Sequence, residues 1–140
     1  MAVTARFLLD TSAVARMANP DVAERFAPLI KGGVVATTAA LDAEALYSAR
    51  GADEYEELWN DRRLAYEYLP TNDEHWQAAL NAQREVARRG RHRAVGVHDL
   101  LTAVVAAAHN LTVVHYDSDF ETAATVLAFE HRWVLPRGTL

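Results

Sequence analysis

Apolar positions along this chain fall into short blocks separated by longer amphipathic stretches. Arg6 to Leu9 (RFLL), Val34 to Ala36, Tyr66 to Leu69 and Leu111 to Val114 read as short buried strands, and Phe129 to Leu135 as a last one. Between them the spacing turns helical. Thr11-Ser12 offers an N-cap for a short helix through Met17, which Asn19-Pro20 stops. A second helix fits Val22 to Ile30 and ends at Gly32-Gly33. A third begins at Thr37-Thr38 and runs to about Ala49. An acidic one spans roughly Asp53 to Leu64, and another runs from Glu74 to Arg89 behind the capping residues Thr71-Asn72-Asp73. Leu100 to Ala108 is almost wholly apolar, too uniform for a surface helix, and His109-Asn110 reads as its stop. Phe120 to Ala128 completes the helices. Strand and helix alternate throughout, which predicts an α/β fold: a mostly parallel central sheet with helices on both faces.

At 140 residues the chain is expected to form a single domain, 1–140, with no internal repeat or long linker. Its 51% hydrophobic content supplies a core. The absence of cysteine excludes disulfides, thiolate chemistry and Cys-ligated zinc. The N-terminal run is too short for a signal peptide, and no segment has the length of a membrane span, so a cytoplasmic protein is expected. A net charge of −5 argues weakly against nucleic acid, but its distribution matters more. Acids gather between Asp53 and Asp61. Arginines gather at Arg84, Arg88, Arg89, Arg91 and Arg93.

The chemistry lies in acids at the ends of elements. Asp10 follows the first strand, Asp117 and Asp119 follow the fourth, and Asp99 opens the apolar helix. If the first and fourth strands are parallel neighbours where strand order reverses, these carboxylates meet at the edge where open α/β sheets build their sites. On the third helix, Glu44 shares a face with Ala40, Leu41, Tyr47 and Ser48, while Asp42 lies with Leu46 on another. The pattern leaves both acids open as the inward one. Singly, each Asp also fits a turn or a cap. Together they predict crowded carboxylates of which either one is protonated, with a raised pKa, or all are neutralised by a cation, and oxygen-only ligands point to a hard one, Mg2+ or Mn2+, rather than zinc. Such a site suits phosphodiester hydrolysis by a metal-activated water.

With FLLDTSA, Glu44 in TTAALDAEAL, Asp99 to Ala103 as D-x-x-x-A, and VVHYDSDF, the chain resembles the PIN-domain ribonucleases, specifically the VapC toxins of VapBC toxin–antitoxin pairs. The resemblance covers nearly the whole chain in order. It implies a PIN-like fold and a magnesium-dependent endoribonuclease, held inactive by a cognate VapB-type antitoxin and usually a homodimer. It also implies an acidic pocket of Asp10, Glu44, Asp99 and Asp117. Asp10 and Asp99 would be the principal magnesium ligands, Glu44 and Asp117 would hold waters or a second ion, and Asp119 would be an alternative ligand. His115 stands where many relatives have Thr or Ser. An RNA substrate makes Arg88, Arg89, Arg91 and Arg93 candidate phosphate contacts, against a plain helix end whose arginines complement its dipole. Alternatives are a catalytically silent PIN-like binding module and a nuclease acting on structured DNA. A haloacid-dehalogenase-like phosphatase wants D-x-D, whereas Asp10 is followed by Thr11 and Ser12. A receiver domain wants a late lysine, whereas Lys31 is the sole lysine.

Overall fold

The computed structural model describes residues 3–140. Five strands, β1 (Phe7–Leu9), β2 (Val35–Thr37), β3 (Glu67–Tyr68), β4 (Thr112–His115) and β5 (Glu130–Trp133), form one sheet in the order β3-β2-β1-β4-β5. Every neighbouring pair is parallel. The seven helices among the described residues are α1 (Thr11–Val14), α2 (Pro20–Lys31), α3 (Ala39–Tyr47), α4 (Ala52–Ala65), α5 (Asp73–Arg88), α6 (Val97–His109) and α7 (Asp119–Ala123).

Strand alternation assigns the two faces of the sheet. Leu8 and Val113 pack against Val105 and Ala106 of α6 and Phe120 of α7. Leu9 and Val114 turn the other way, onto Ala13 of α1 and Val22 and Phe26 of α2. Helix α6 is buried without a break from Leu100 to Ala106, because α5 covers its outer side through Ala79, Ala82 and Val86. This accounts for its uniform polarity. Asn110 ends it in the left-handed conformation at φ 54°, which an Asn tolerates at a helix end.

Element ends differ from expectation where a side chain takes over a backbone group. The N-cap of α1 is Asp10 rather than Thr11 or Ser12: its carboxylate accepts the Ser12 N–H. Asn19 does not merely stop that helix. Its side chain caps α2, and Pro20 occupies the first turn. Thr37 belongs to β2, and Thr38 caps α3 by accepting the Leu41 N–H. Helix α7 stops at Ala123 rather than Ala128. There the Thr125 hydroxyl donates to the Thr122 carbonyl, and Val126 and Leu127 turn into the α5–α6 core.

Asp42 is buried and holds α3 to α4. The Arg62 Nε–H donates to Asp42 Oδ1 at 2.9 Å and the Thr37 hydroxyl donates to the same oxygen at 2.8 Å, while Arg62 Nη2 donates to the Thr37 hydroxyl at 3.1 Å. Both charged side chains are about nine-tenths buried. Removing one partner of such a pair strands the other, at about 3–5 kcal/mol. Asp42→Ala is therefore expected to lower the urea midpoint strongly. The paired exchange Asp42→Leu with Arg62→Met is expected to recover most of the loss, and equal midpoints for the single and double variants would contradict this.

Candidate active site

The carboxyl ends of β1 and β4 lie side by side, with Leu9 opposite Val114 and the Asp10 N–H donating to the Val114 carbonyl at 2.9 Å. This is the point where strand order reverses, since β2 and β3 extend the sheet on one side of β1 and β4 and β5 on the other. Asp10 is thereby fixed, buried, at the sheet edge. The Ser12 hydroxyl donates to Asp10 Oδ2 at 2.6 Å and accepts the Tyr116 N–H at 2.9 Å, clasping the ends of the two strands. Asp117 is held by its own turn: its Oδ1 accepts the Asp119 N–H at 2.9 Å.

Asp99, on the first turn of α6, completes the cluster. Carboxylate oxygens of Asp99, Asp117 and Asp119 all lie within 4.8 Å of one another. Asp10 stands beside this group and acts on Asp99 and Asp119 through its charge, and Glu44 in turn feels the charge of Asp10. Asp119, given a lesser place by sequence, lies in the tightest group. Of the two acids left open on α3, Asp42 is committed to Arg62, whereas half-buried Glu44 faces Asp10.

Electrostatics records the crowding. Burial first, then the charges of Asp10, Asp117 and Asp119, push the Asp99 carboxyl up to about 8. Asp119 is raised by burial and by Asp117. Glu44 is raised by burial and by Asp10, with His98 opposing. Burial also raises Asp10, against the hydrogen bonds from Ser12. Among the described residues, none of these five acids has an ion-pair partner.

The donor set fits a hard divalent cation. It is all carboxylate oxygen, it is deficient in positive charge, and its spacing matches oxygens arranged around an ion at roughly 2.0–2.6 Å. Asp99, Asp117 and Asp119 would hold the ion, with Asp10 and Glu44 beside them.

His115 lies fully buried beneath this edge. Its Nδ1 accepts the Asp117 N–H at 3.2 Å, so the ring proton sits on Nε2, which faces His131 Nδ1 at 2.9 Å. Burial, then His131, lowers its pKa to about 4, so it stays neutral. It stacks on Phe120 at 4.7 Å and meets Trp133 edge-on at 5.1 Å. Sequence reading missed two of these supports, Ser12 and His131. Ser12 was visible as a cap but assigned to the helix rather than to Asp10. The pairing with His131 depends on the β4–β5 register, where His131 is the diagonal neighbour of His115. Of the arginines, Arg88 pairs with Glu85, Arg89 caps α5, and Arg91 and Arg93 stand exposed on the loop before α6.

An all-parallel sheet with this strand order and an acid-lined edge defines a class. The sequence profile described as PIN domain matches residues 7–126, and the chain belongs to the PIN-domain family. Within it the chain is homologous to VapC-type toxins. It is 39% identical to Ribonuclease VapC21 of Mycobacterium tuberculosis over 137 residues, covering 98% of this chain and 99% of that one. It is 36% identical to Ribonuclease VapC51 of the same species, covering 96% and 97%. Among solved structures it resembles FitAB bound to an IR36 DNA fragment (TM-score 0.73, 18% identity, 94% and 99% of the chains covered). It also resembles VapBC-5 of Mycobacterium tuberculosis (TM-score 0.55, 27% identity, 92% and 97% covered).

Without a cation, raised carboxyl pKa values make stability fall as pH rises. Between the ordinary value near 3.8 and about 8 the folded protein holds a proton on Asp99 that the unfolded chain has lost. The melting temperature in chelator is expected to decline across this window. Asp99→Asn, which removes the titration, is expected to gain about 1–2 kcal/mol at the alkaline end. A pH profile unchanged by Asp99→Asn would contradict the placement of Asp99.

Proposed function

We propose that this protein is a metal-dependent endoribonuclease toxin that cleaves RNA phosphodiester bonds, neutralised by a cognate VapB-type antitoxin. The observation that carries this reading is the group Asp99, Asp117 and Asp119, with Asp10 and Glu44 beside it, none in an ion pair among the described residues. The relatives named ribonucleases support RNA as substrate. Structural neighbours described as VapBC assemblies, such as that of Salmonella typhimurium bound to DNA, support an antitoxin partner. No helix among the described residues is long and apolar enough to cross a membrane, and the proposed place of action is the cytoplasm. Exposed Tyr47, Leu64, Trp76 and Leu80 offer apolar surface for the antitoxin and for a second copy in a homodimer.

The proposed division of labour follows the geometry. A bound Mg2+ or Mn2+ supplies Lewis acidity and neutralises charge developing on the phosphoryl group. Asp99, Asp117 and Asp119 position that charge, and losing it protonates Asp99. Asp10, fixed by Ser12, sets the local field from the β1 side. Glu44, its pKa raised by burial and by Asp10 with His98 opposing, lies at the site's margin. Neutral His115 fixes the Asp117 backbone without adding charge.

Protein free of antitoxin is expected to cut end-labelled structured RNAs at discrete positions with Mg2+ or Mn2+, and not in chelator. Loss of groups that merely support metal ligands costs about 10–100-fold, so Asp99→Asn is expected to cost at least about 100-fold. Cuts that persist in Asp99→Asn would refute the site. Metal binding without cleavage of any RNA would favour a silent binding module, and cleavage confined to branched DNA would favour a DNA nuclease.

A further inference from the structure

The acidic cluster poses a problem for a polyanionic substrate, and the structure holds an answer beside it. A cleft of about 300 Å³ is lined by Arg91, Ser118, Glu121, Thr122, Thr125 and Arg137. Ser118 lies between Asp117 and Asp119 in the chain, so cleft and acidic cluster share one turn. Three distant segments build the cleft: the loop before α6, the β4–α7 turn with α7, and the tail after β5. The tail is held in place. The Leu140 N–H donates to the Tyr116 hydroxyl at 2.8 Å, and the Arg137 guanidinium lies 5.6 Å from the Trp133 ring. Arg91 has no ion pair among the described residues. Arg137 pairs with Glu121 at 3.1 Å, but both side chains are about half exposed or more, and such a pair is weak enough for a phosphate to displace.

We propose that this cleft is a phosphodiester subsite, in which Arg91 and Arg137 grip an RNA backbone phosphate adjoining the one at the acidic cluster. The proposal rests on the ribonuclease reading and goes beyond it, because it gives the C-terminal tail a substrate role and singles out Arg91 from the arginine-rich loop. Guanidinium forks suit phosphate, and the hydroxyls of Ser118 and Thr122 can donate to its oxygens. Glu121 acts as a built-in competitor that holds Arg137 oriented while the cleft is empty.

The test measures binding of a fluorescein-labelled mixed-sequence single-stranded RNA in chelator across a salt series, and KM and kcat for cleavage with Mg2+. Arg91→Ala and Arg137→Ala are each expected to weaken binding about 5–10-fold and to reduce the slope of log K against log salt by about 0.7, the value for one phosphate contact on a single strand. KM should rise with kcat nearly unchanged. Glu121→Gln, which frees Arg137, should tighten binding, a gain that misfolding cannot produce. Arg25→Ala, on the exposed side of α2, serves as control. If the native protein binds and cleaves RNA while both arginine variants keep its affinity, salt slope and KM, the subsite is refuted and the nuclease reading stands. If inorganic phosphate or an acidic peptide saturates the cleft but RNA does not compete, the subsite is likewise refuted as an RNA site. If the native protein neither binds nor cleaves RNA, both readings fall.

Discussion

Like charges forced together govern this structure. The parallel pairing of β1 with β4 brings Asp10 and the Asp117 turn to one edge, and α6 delivers Asp99 to the same place. Burial and repulsion then raise the carboxyls of Asp10, Asp119 and Asp99, the last to about 8. A fold that wanted only stability would relieve this with an arginine, as it does 20 residues along the chain from Asp42, where Arg62 neutralises that buried acid outright. At the strand ends no such partner stands among the described residues. The crowded carboxylates could hold a cation, and the surrounding hydrogen bonds from Ser12 and the Asp117 turn fix them in place. Strain of this kind concentrates where function needs it.

Much of this architecture was legible in the sequence. Short apolar blocks alternating with helical spacing specified an α/β sheet, and the unbroken apolar run of α6 specified a helix covered on all sides. The acids at strand ends were legible too, because a parallel sheet sends every strand end the same way. The choice between Asp42 and Glu44 was not. Two residues apart on one helix, they point in different directions, and only the position of Arg62 on α4 shows which of them is already spent. Tertiary partners separated by long stretches of chain leave no local pattern, and Ser12 with Tyr116, or His115 with His131, are of the same kind.

Element boundaries were misread for a related reason. The residues at these junctions hydrogen-bond through their side chains, so Thr37, Ser12 and Thr125 behave by what they touch rather than by propensity. At Asp10 the same oxygen that caps α1 also belongs to the acidic edge, so a capping reading and a functional reading describe one atom doing both. His115 supports the site from below: the ring is buried beneath it, remains neutral, and accepts a hydrogen bond from the Asp117 N–H.

The most direct test of the stored-charge account is a calorimetric titration of Mn2+ into the protein near neutral pH, repeated in buffers of different ionisation enthalpy. Saturable binding accompanied by proton release, with the proton release abolished in Asp99→Asn, is the predicted result, because the cation must displace the proton that crowding holds on that carboxyl. Binding with no proton release, or binding indifferent to Asp99→Asn, would show that the acids at the ends of β1 and β4 are not the cation site.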